Sequence, residues 1–336
     1  MHSRYSRQIL FPPIGEKGQG LISRKSVLIV GAGALGTVVS NHLVRAGVGF
    51  IRIVDRDFVE FSNLQRQMLY TQKDAEDMLP KAVAAEHRLK DINSEISVEG
   101  IVTDVTADNI EKLMEGIDVV IDGTDNFSTR YLLNDACFKL GIPYAYGGAV
   151  SSRGMTALFI PGKTPCLRCV VPDGAGSGQT CDTVGVIAPV VDMVSSHQVV
   201  EVMKYLTDNK NALRGDLLTF DIWQNQQFSM KLKKPATDCS TCQTNKYPYL
   251  RSDGDEDYSI LCGRDSVQIH KQSELDLQLW NQRLASIAKV KKTPFLLKAE
   301  LDSGETLVLF PDGRVLIQGV EEVSRAKTLY DRLIGS

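Results

Sequence analysis

Residues 27–57, VLIVGAGALGTVVSNHLVRAGVGFIRIVDRD, constrain the fold more than any other part of the chain. Residues 27–30 form a short, continuous apolar run, the pattern of a strand buried on both faces of a parallel sheet. The run ends on Gly31-Ala32-Gly33-Ala34-Leu35-Gly36, a G-x-G-x-x-G turn. An amphipathic helix is expected next, with Val38, Val39, Leu43 and Val44 on its apolar face and Gly47 as its stop. A second strand, 50–54, leads to Asp55. These pieces predict a nucleotide-binding βαβ unit. Gly31 would make the tight turn, Gly33 would let a ligand approach the backbone, and Gly36 would let the helix close on the strand. The helix N-terminus would offer unpaired N–H groups to phosphate, and Asp55 could accept from ribose hydroxyls. The same pieces without a ligand are an ordinary tight βα turn. Taken alone, the motif favours a dinucleotide.

Several later segments place polar residues just past the carboxyl end of an expected strand, the edge where open parallel sheets bind ligands. Asp57 is followed by the connection 58–67, which mixes acids, amides and an arginine. There Asn63 and Gln65 could hold sugar or phosphate and Arg66 could neutralise phosphate, unless this is only a polar loop. Pro80 is expected to open a helix over 81–91, which puts Lys81 in the first turn, against the helix dipole, and hints at an anionic ligand. A strand over 96–102 and a helix over 109–115 capped by Thr106 come next. A strand over 118–121 then leads into Asp122-Gly123-Thr124-Asp125-Asn126. Two acids and an amide on one turn could coordinate Mg²⁺, or Asp125 or Asn126 could cap the helix expected over 127–140. A strand over 143–150 would form an edge hairpin with 155–160, and a long helix is expected over 190–206. Strands over 217–222 and 228–232 complete this part. Arg4 and Arg7 precede the phosphate site and are either clamps for it or solvated surface charges.

The chain has seven cysteines, and four of them form two C-x-x-C pairs. Cys166 and Cys169 with Cys239 and Cys242 could close a tetrahedral Zn²⁺ thiolate site with no open position, which is a structural site. The alternatives are a redox dithiol or buried free thiols. Cys181 lies between the pairs in a glycine-rich stretch, 173–183. It is expected to be an exposed nucleophile or sulfur carrier, or else an incidental thiol. Cys137, Cys262 and His197 are expected to be packing residues, His197 with solvation as an alternative.

With 336 residues, 43% of them hydrophobic, the chain can build one large or two modest globular domains. We expect an α/β domain over 1–245, with a Rossmann-like, mostly parallel sheet and helices on both faces. An acidic linker over 246–258 would follow, then a small accessory α+β domain over 259–336. In that last domain, strands are expected over 266–270 and 294–301, helices over 275–287 and 320–333, and a hairpin over 307–317. The net charge of −3 implies no affinity for nucleic acid. No apolar run reaches the length of a membrane span, and MHSRYSRQ has no apolar signal core. A cytoplasmic protein without membrane association is expected, a setting in which paired cysteines favour metal over disulfides.

The residues above give the chain a resemblance to the ThiF/MoeB/HesA family, prokaryotic relatives of ubiquitin-activating enzymes. It is carried over 1–245 by R-Y-S-R-Q at 4–8, GAGALG at 31–36, D-R-D at 55–57 with S-N-L-Q-R-Q at 62–67, P-K at 80–81, T-D-N at 124–126 and both C-x-x-C pairs. The resemblance implies that ATP occupies the glycine turn. It also implies that the enzyme adenylates the C-terminal Gly-Gly carboxylate of a small ubiquitin-like sulfur carrier, in thiamine thiazole or molybdopterin synthesis, and releases pyrophosphate. By the family pattern Arg66 and Lys81 hold the triphosphate, Asn63 supports it, Asp125 holds Mg²⁺ and Asp55 takes the ribose, with Asp57 beside it. Arg7 would reach a neighbouring subunit's site, so a homodimer is implied. Cys181 would handle sulfur that a cysteine desulfurase or sulfurtransferase delivers. The sequence departs from some relatives at Met78-Leu79, where they carry a glycine and a polar residue; this bears on loop conformation. Two other readings compete. An NAD-dependent dehydrogenase would use the turn and Asp55 but leave Arg66, Lys81 and T-D-N idle. A non-catalytic scaffold would need none of the charged set.

Overall fold

The computed structural model describes residues 3–172, 184–251, 258–261, 266–270, 274–320 and 322–335. It divides into two compact units, Met1–Ser252 and Asp253–Ser336, with the boundary inside the acidic stretch 246–258. Cys181 and Cys262 lie outside the described residues.

After the helices Ser6–Ile9 and Gly15–Ile22, the first unit forms the expected βαβ. Strand β1 is Ser26–Val30, helix α1 is Ala34–Ala46 and strand β2 is Phe50–Asp55. Gly47 ends α1 at φ 84°, a left-handed conformation that favours glycine. Helix α2, Lys81–Ile92, begins directly after Pro80 and leads to β3, Ser97–Val102. Strand β4 is Val119–Asp122 and helix α3 is Phe127–Leu140. Strands β5, Tyr144–Val150, and β6, Arg153–Phe159, are followed by helix α4, Ala188–Leu206, and by strands β7, Asp216–Asp221, and β8, Gln226–Lys231. The sheet order is β3-β2-β1-β4-β5-β6-β7-β8. Pairing is parallel from β3 to β5 and antiparallel from β5 to β8.

Alternation along β1 explains its continuous apolar run. Val27 and Ile29 join one core with Val39 and Leu43 of α1 and Leu89 of α2. Leu28 and Val30 join the core on the other face with Leu133 and Cys137 of α3. Burial on both faces fixes the register, because a slip of one residue would exchange the two cores. Helix α4 packs on α1 through Val190, Val191 and Val194 against Leu35 and Val38. Strand β1 lies between β2 and β4, so connections leave it in both directions and their carboxyl ends border a crevice.

Two local expectations need correction. The hairpin of β5 and β6 is not at an edge, since β7 and β8 extend the sheet beyond it and β8 is the edge strand. The helix expected over 109–115 is shorter, Ile110–Leu113, and Thr106 enters through its backbone. Its N–H donates to Asn109 Oδ1 and its carbonyl accepts from Ile110 N.

The second unit is an antiparallel sheet with two helices. Its elements are β9 Tyr258–Leu261, β10 Ser266–His270, α5 Leu277–Leu284, β11 Ala288–Lys292, β12 Leu297–Leu301, β13 Thr306–Leu309, β14 Arg314–Gln318 and α6 Val323–Leu333. Their order in the sheet is β11-β12-β13-β14-β10-β9. Val267, Ile269, Leu307, Leu309, Val315 and Ile317 point to one face and pack with Trp280 of α5 and Leu329 of α6. No described helix of either unit is long and apolar enough to cross a membrane.

Candidate functional site

The glycines set the geometry of the crevice. Gly31 has φ 93°, and a Cβ on it would stand 2.6 Å from the carbonyl oxygen of Gly123. A Cβ on Gly123 would meet Gly31 O at 2.5 Å, so the turns after β1 and β4 touch backbone to backbone. Gly36 is tighter still, with a Cβ position 1.8 Å from Gly31 O. Its role is the one its motif position implies, close packing of helix on turn. Gly33 is different: nothing lies closer than 3.9 Å to its Cβ position, so its surface stays open. It also precedes α1 with no side-chain cap, leaving first-turn N–H groups for a ligand.

Around this turn the polar groups interlock. Asp55 accepts from the N–H of Ala32 at 2.7 Å and of Asp57 at 2.7 Å, one on each oxygen. Each oxygen keeps a lone pair for a hydroxyl. Burial raises the Asp55 carboxyl above the usual range, nearby Lys81 opposes this and Asp57 adds to it. Tyr70, which sequence reasoning missed, places its hydroxyl 2.6 Å from Ala32 O and 3.1 Å from Lys81 O, tying the glycine turn to the start of α2. Buried Gln67 stands beside Gly33, and its Oε1 has no hydrogen-bond partner.

Lys81 is not a misplaced surface cation. Its side chain is 3% exposed and pairs with Asp57 at 3.1 Å, while its backbone N–H donates to Asp57 O at 2.8 Å. The bridge between Phe58 and Pro80 holds the two segments together. Met78, part of the departure from relatives, is buried at φ 49° just before this bridge, where glycine would be unstrained. Arg56 pairs with Asp104 at 2.7 Å and also faces Asp57 and Asp125. Asn63 is buried and accepts from Glu60 N–H through Oδ1. Half-buried Arg66 donates to Ser62 O at 3.0 Å.

The turn after β4 separates the roles left open there. Asn126 caps α3, its Oδ1 accepting from Thr129 N at 2.9 Å. Asp122 is fully buried, so it is not available to an outer cation. Its Oδ1 accepts from Thr124 N–H and from the Thr124 hydroxyl, and its Oδ2 accepts from the Tyr144 hydroxyl at 2.8 Å. Arg130 of α3 stands 3.3 Å from it and donates to Thr124 O and Gly147 O. Burial alone would lower the Arg130 pKa, but Asp122, Tyr146, Tyr144 and Asp125 together outweigh it and raise it. Asp125 is left exposed at the tip. Arg130, Tyr144 and Tyr70 escaped the sequence reading because their pairings cross between elements, and Asp122, read there as one of two acids open to a cation, is instead turned inward to them.

Arg7 does not join this group within its own chain. It is exposed on the short helix Ser6–Ile9. Its neighbours Tyr5 and Gln8 dock at the far end of α1, Tyr5 against Gly47 and Gln8 Nε2 on Ala46 O at 3.0 Å. With 13 residues in α1, that end is about 20 Å from the glycine turn.

The two C-x-x-C pairs converge. The Sγ atoms of Cys166, Cys169, Cys239 and Cys242 all lie within 4.8 Å of one another. Cys166 Sγ is 3.9 Å from Cys169 Sγ and 3.5 Å from Cys239 Sγ, and Cys169 Sγ is 3.4 Å from Cys242 Sγ. Tetrahedral bonds of about 2.3 Å put sulfurs about 3.8 Å apart, so the set fits a Zn²⁺ site. All four are free thiols, too far apart for disulfides. Burial and the adjoining sulfurs push Cys242 up to about 12 and raise Cys166 as well, a strain that a cation would relieve. About one zinc per chain is the expected result of elemental analysis; a stably folded protein without metal would refute it. Cys137 is buried, as expected of a packing residue.

The ThiF family model matches residues 5–241. The chain is 43% identical to the sulfur carrier protein ThiS adenylyltransferase of Bacillus subtilis (strain 168), across 100% of both chains. It is 35% identical to the sulfur carrier protein adenylyltransferase of Thermus thermophilus, covering 77% of this chain and 96% of that one. With the adenylyltransferase and sulfurtransferase MOCS3 of Culex quinquefasciatus it shares 38% identity over 84% of its own length and 63% of the relative's. Among solved structures, E. coli MccB with ATP superposes with a TM-score of 0.62 at 24% identity, over 72% of this chain and 75% of that one, a likeness of fold alone.

Proposed function

Because this chain belongs to the ThiF family, we propose that it is an adenylyltransferase that activates the C-terminal Gly-Gly carboxylate of a ubiquitin-like sulfur carrier of the ThiS type. The observation that carries this reading is the 43% identity to the Bacillus subtilis enzyme, which runs through the second unit as well as the first. The carboxylate attacks the α-phosphorus of ATP, the bond to the bridging oxygen breaks, and pyrophosphate leaves. A carboxylate approaching a polyphosphate is repelled, so the site must spread negative charge. The N-terminus of α1, Arg66 and Lys81 face the phosphates in this reading, and Asp57 keeps the Lys81 ammonium in place until they arrive. Asn63 supports the phosphates, and Asp55 takes the ribose through its remaining lone pairs. Asp125 holds Mg²⁺, which supplies charge neutralisation when bound. The four cysteines hold zinc as a structural ion.

The docking of Tyr5 and Gln8 at the far end of α1 supports a role for Arg7 in the neighbouring subunit of a homodimer. Free thiols throughout the cysteine centre support a reducing, cytoplasmic setting. Cys181 accepts sulfur downstream of adenylation, supplied by a cysteine desulfurase or sulfurtransferase.

Carrier-dependent ATP–pyrophosphate exchange tests the reading. Exchange is expected with the ThiS-type carrier and not with NAD and a hydride donor. Exchange with a molybdopterin-synthase carrier alone would move the assignment to that pathway, a reading that the MOCS3 likeness keeps in view. Cys181→Ala is expected to leave exchange intact and to impair only sulfur transfer to the carrier. Loss of exchange in that variant would refute the division of labour.

A further inference from the structure

We propose that Asp135 is the positioning residue of the four-cysteine centre, a carboxylate on α3 that holds two distant cysteine knuckles in register and seats the segment that follows them. This rests on the zinc reading of that centre. Asp135 is fully buried on α3. Its Oδ1 accepts from the Thr241 hydroxyl at 2.5 Å, inside the second knuckle. The guanidinium of Arg168, inside the first knuckle, stands 3.6 Å from its Oδ2. The same Oδ2 accepts from Tyr249 N–H at 3.0 Å, on the turn Pro248–Leu250.

The surroundings point the same way. Arg168 also donates through Nε to the Thr241 hydroxyl at 3.2 Å, which links the knuckles directly. It stands over the rings of Tyr131 and Tyr249, 5.3 and 5.4 Å from their centroids, and the two rings are themselves 5.3 Å apart. The preceding residue on α3, Asn134, accepts from Leu167 N–H at 2.8 Å. Two successive residues of one helix thus hold the knuckles, Asn134 the first and Asp135 both. A centre of four thiolates around Zn²⁺ is net negative, so a buried carboxylate beside it is electrostatically unfavourable. Its presence is explained by geometry: a rigid 14-residue helix sets the spacing of knuckles that enter the fold far apart in sequence. Outer-shell groups of this kind orient metal ligands, and their loss commonly weakens binding by about 10–100-fold.

Asp135→Asn keeps the shape but turns an amide N–H toward a donor. In the full-length protein loaded with one zinc, release to a chromophoric chelator is expected to be about 10–100-fold faster than in the wild type. The cobalt-substituted variant should keep thiolate charge-transfer bands, because its four sulfur ligands are unchanged. Thr241→Val should also speed release, and Thr241→Ser should restore it. The Thr241 pair decides the matter if Asp135→Asn does not fold. Wild-type release rates in Asp135→Asn, or in Thr241→Val where that variant alone is measurable, would overturn the proposal while leaving the zinc reading intact. A wild-type protein without zinc would overturn both.

Discussion

Asp125→Ala is expected to abolish carrier-dependent ATP–pyrophosphate exchange while leaving the melting temperature close to that of the wild type. The two outcomes separate because Asp125 is exposed at the tip of the turn after β4. The turn itself is held by other groups: Asp122 clamps Thr124, Arg130 holds Thr124 O and Asn126 caps α3. Substitutions at exposed positions usually change stability by no more than about 0.5 kcal/mol. If Asp125 holds Mg²⁺ as proposed, its loss costs transition-state stabilisation of several kcal/mol, or roughly 10³-fold in rate. Asp125→Asn should fall nearly as far, since shape is kept and charge is lost. Exchange within about threefold of wild type, a difference under 1 kcal/mol, would place the cation elsewhere.

The second large effect comes from comparing two glycines. Gly36→Ala puts a methyl 1.8 Å from Gly31 O, so α1 must shift away from the turn. Overpacking of this sort costs about 1–3 kcal/mol. The displaced first turn of α1 would also misplace its phosphate-facing N–H groups, and misplacement near 1 Å can cost about 10²-fold in activity. Gly33→Ala meets nothing closer than 3.9 Å, so its melting temperature should match that of the wild type. Its methyl would occupy the open face that the ligand needs, and ATP affinity should fall sharply. Calorimetric titration with ATP alongside thermal melts checks both variants. Normal ATP binding by Gly33→Ala would remove the glycine turn as the phosphate site.

The βαβ unit is legible in the sequence because all its determinants are local. An apolar run buried on two faces, three glycines at fixed offsets and an acid at the next strand's tip sit within about thirty residues. What the sequence hid lies in contacts between elements. Lys81 reads as a cation in a poor place for its helix, and the structure buries it against Asp57, 24 positions earlier. In D-G-T-D-N the two acids look equivalent, yet Asp122 belongs to the strand and turns inward to Tyr144 and Arg130, while Asp125 stays outside. Strand β11, Ala-Lys-Val-Lys-Lys, was missed because an exposed edge strand carries lysines where a buried one carries aliphatics. The same logic reversed misplaced β6 at an edge: its small and apolar residues sit between β5 and β7, under α4.

The separation of the two cysteine knuckles has a consequence for the rest of the first unit. Cys166 and Cys239 are 73 positions apart, and α4, β7 and β8 all lie between them. An ion joining the knuckles would close that span into a ring, much as a crosslink does. In a chain-entropy description, a ring of this size removes about 4 kcal/mol worth of freedom from the unfolded chain. Unlike a covalent link, it opens under chelation. Since α4 supports the first turns of α1 through Val190, Val191 and Val194, stripping the metal would loosen the backing of the glycine turn without altering any group that faces the nucleotide.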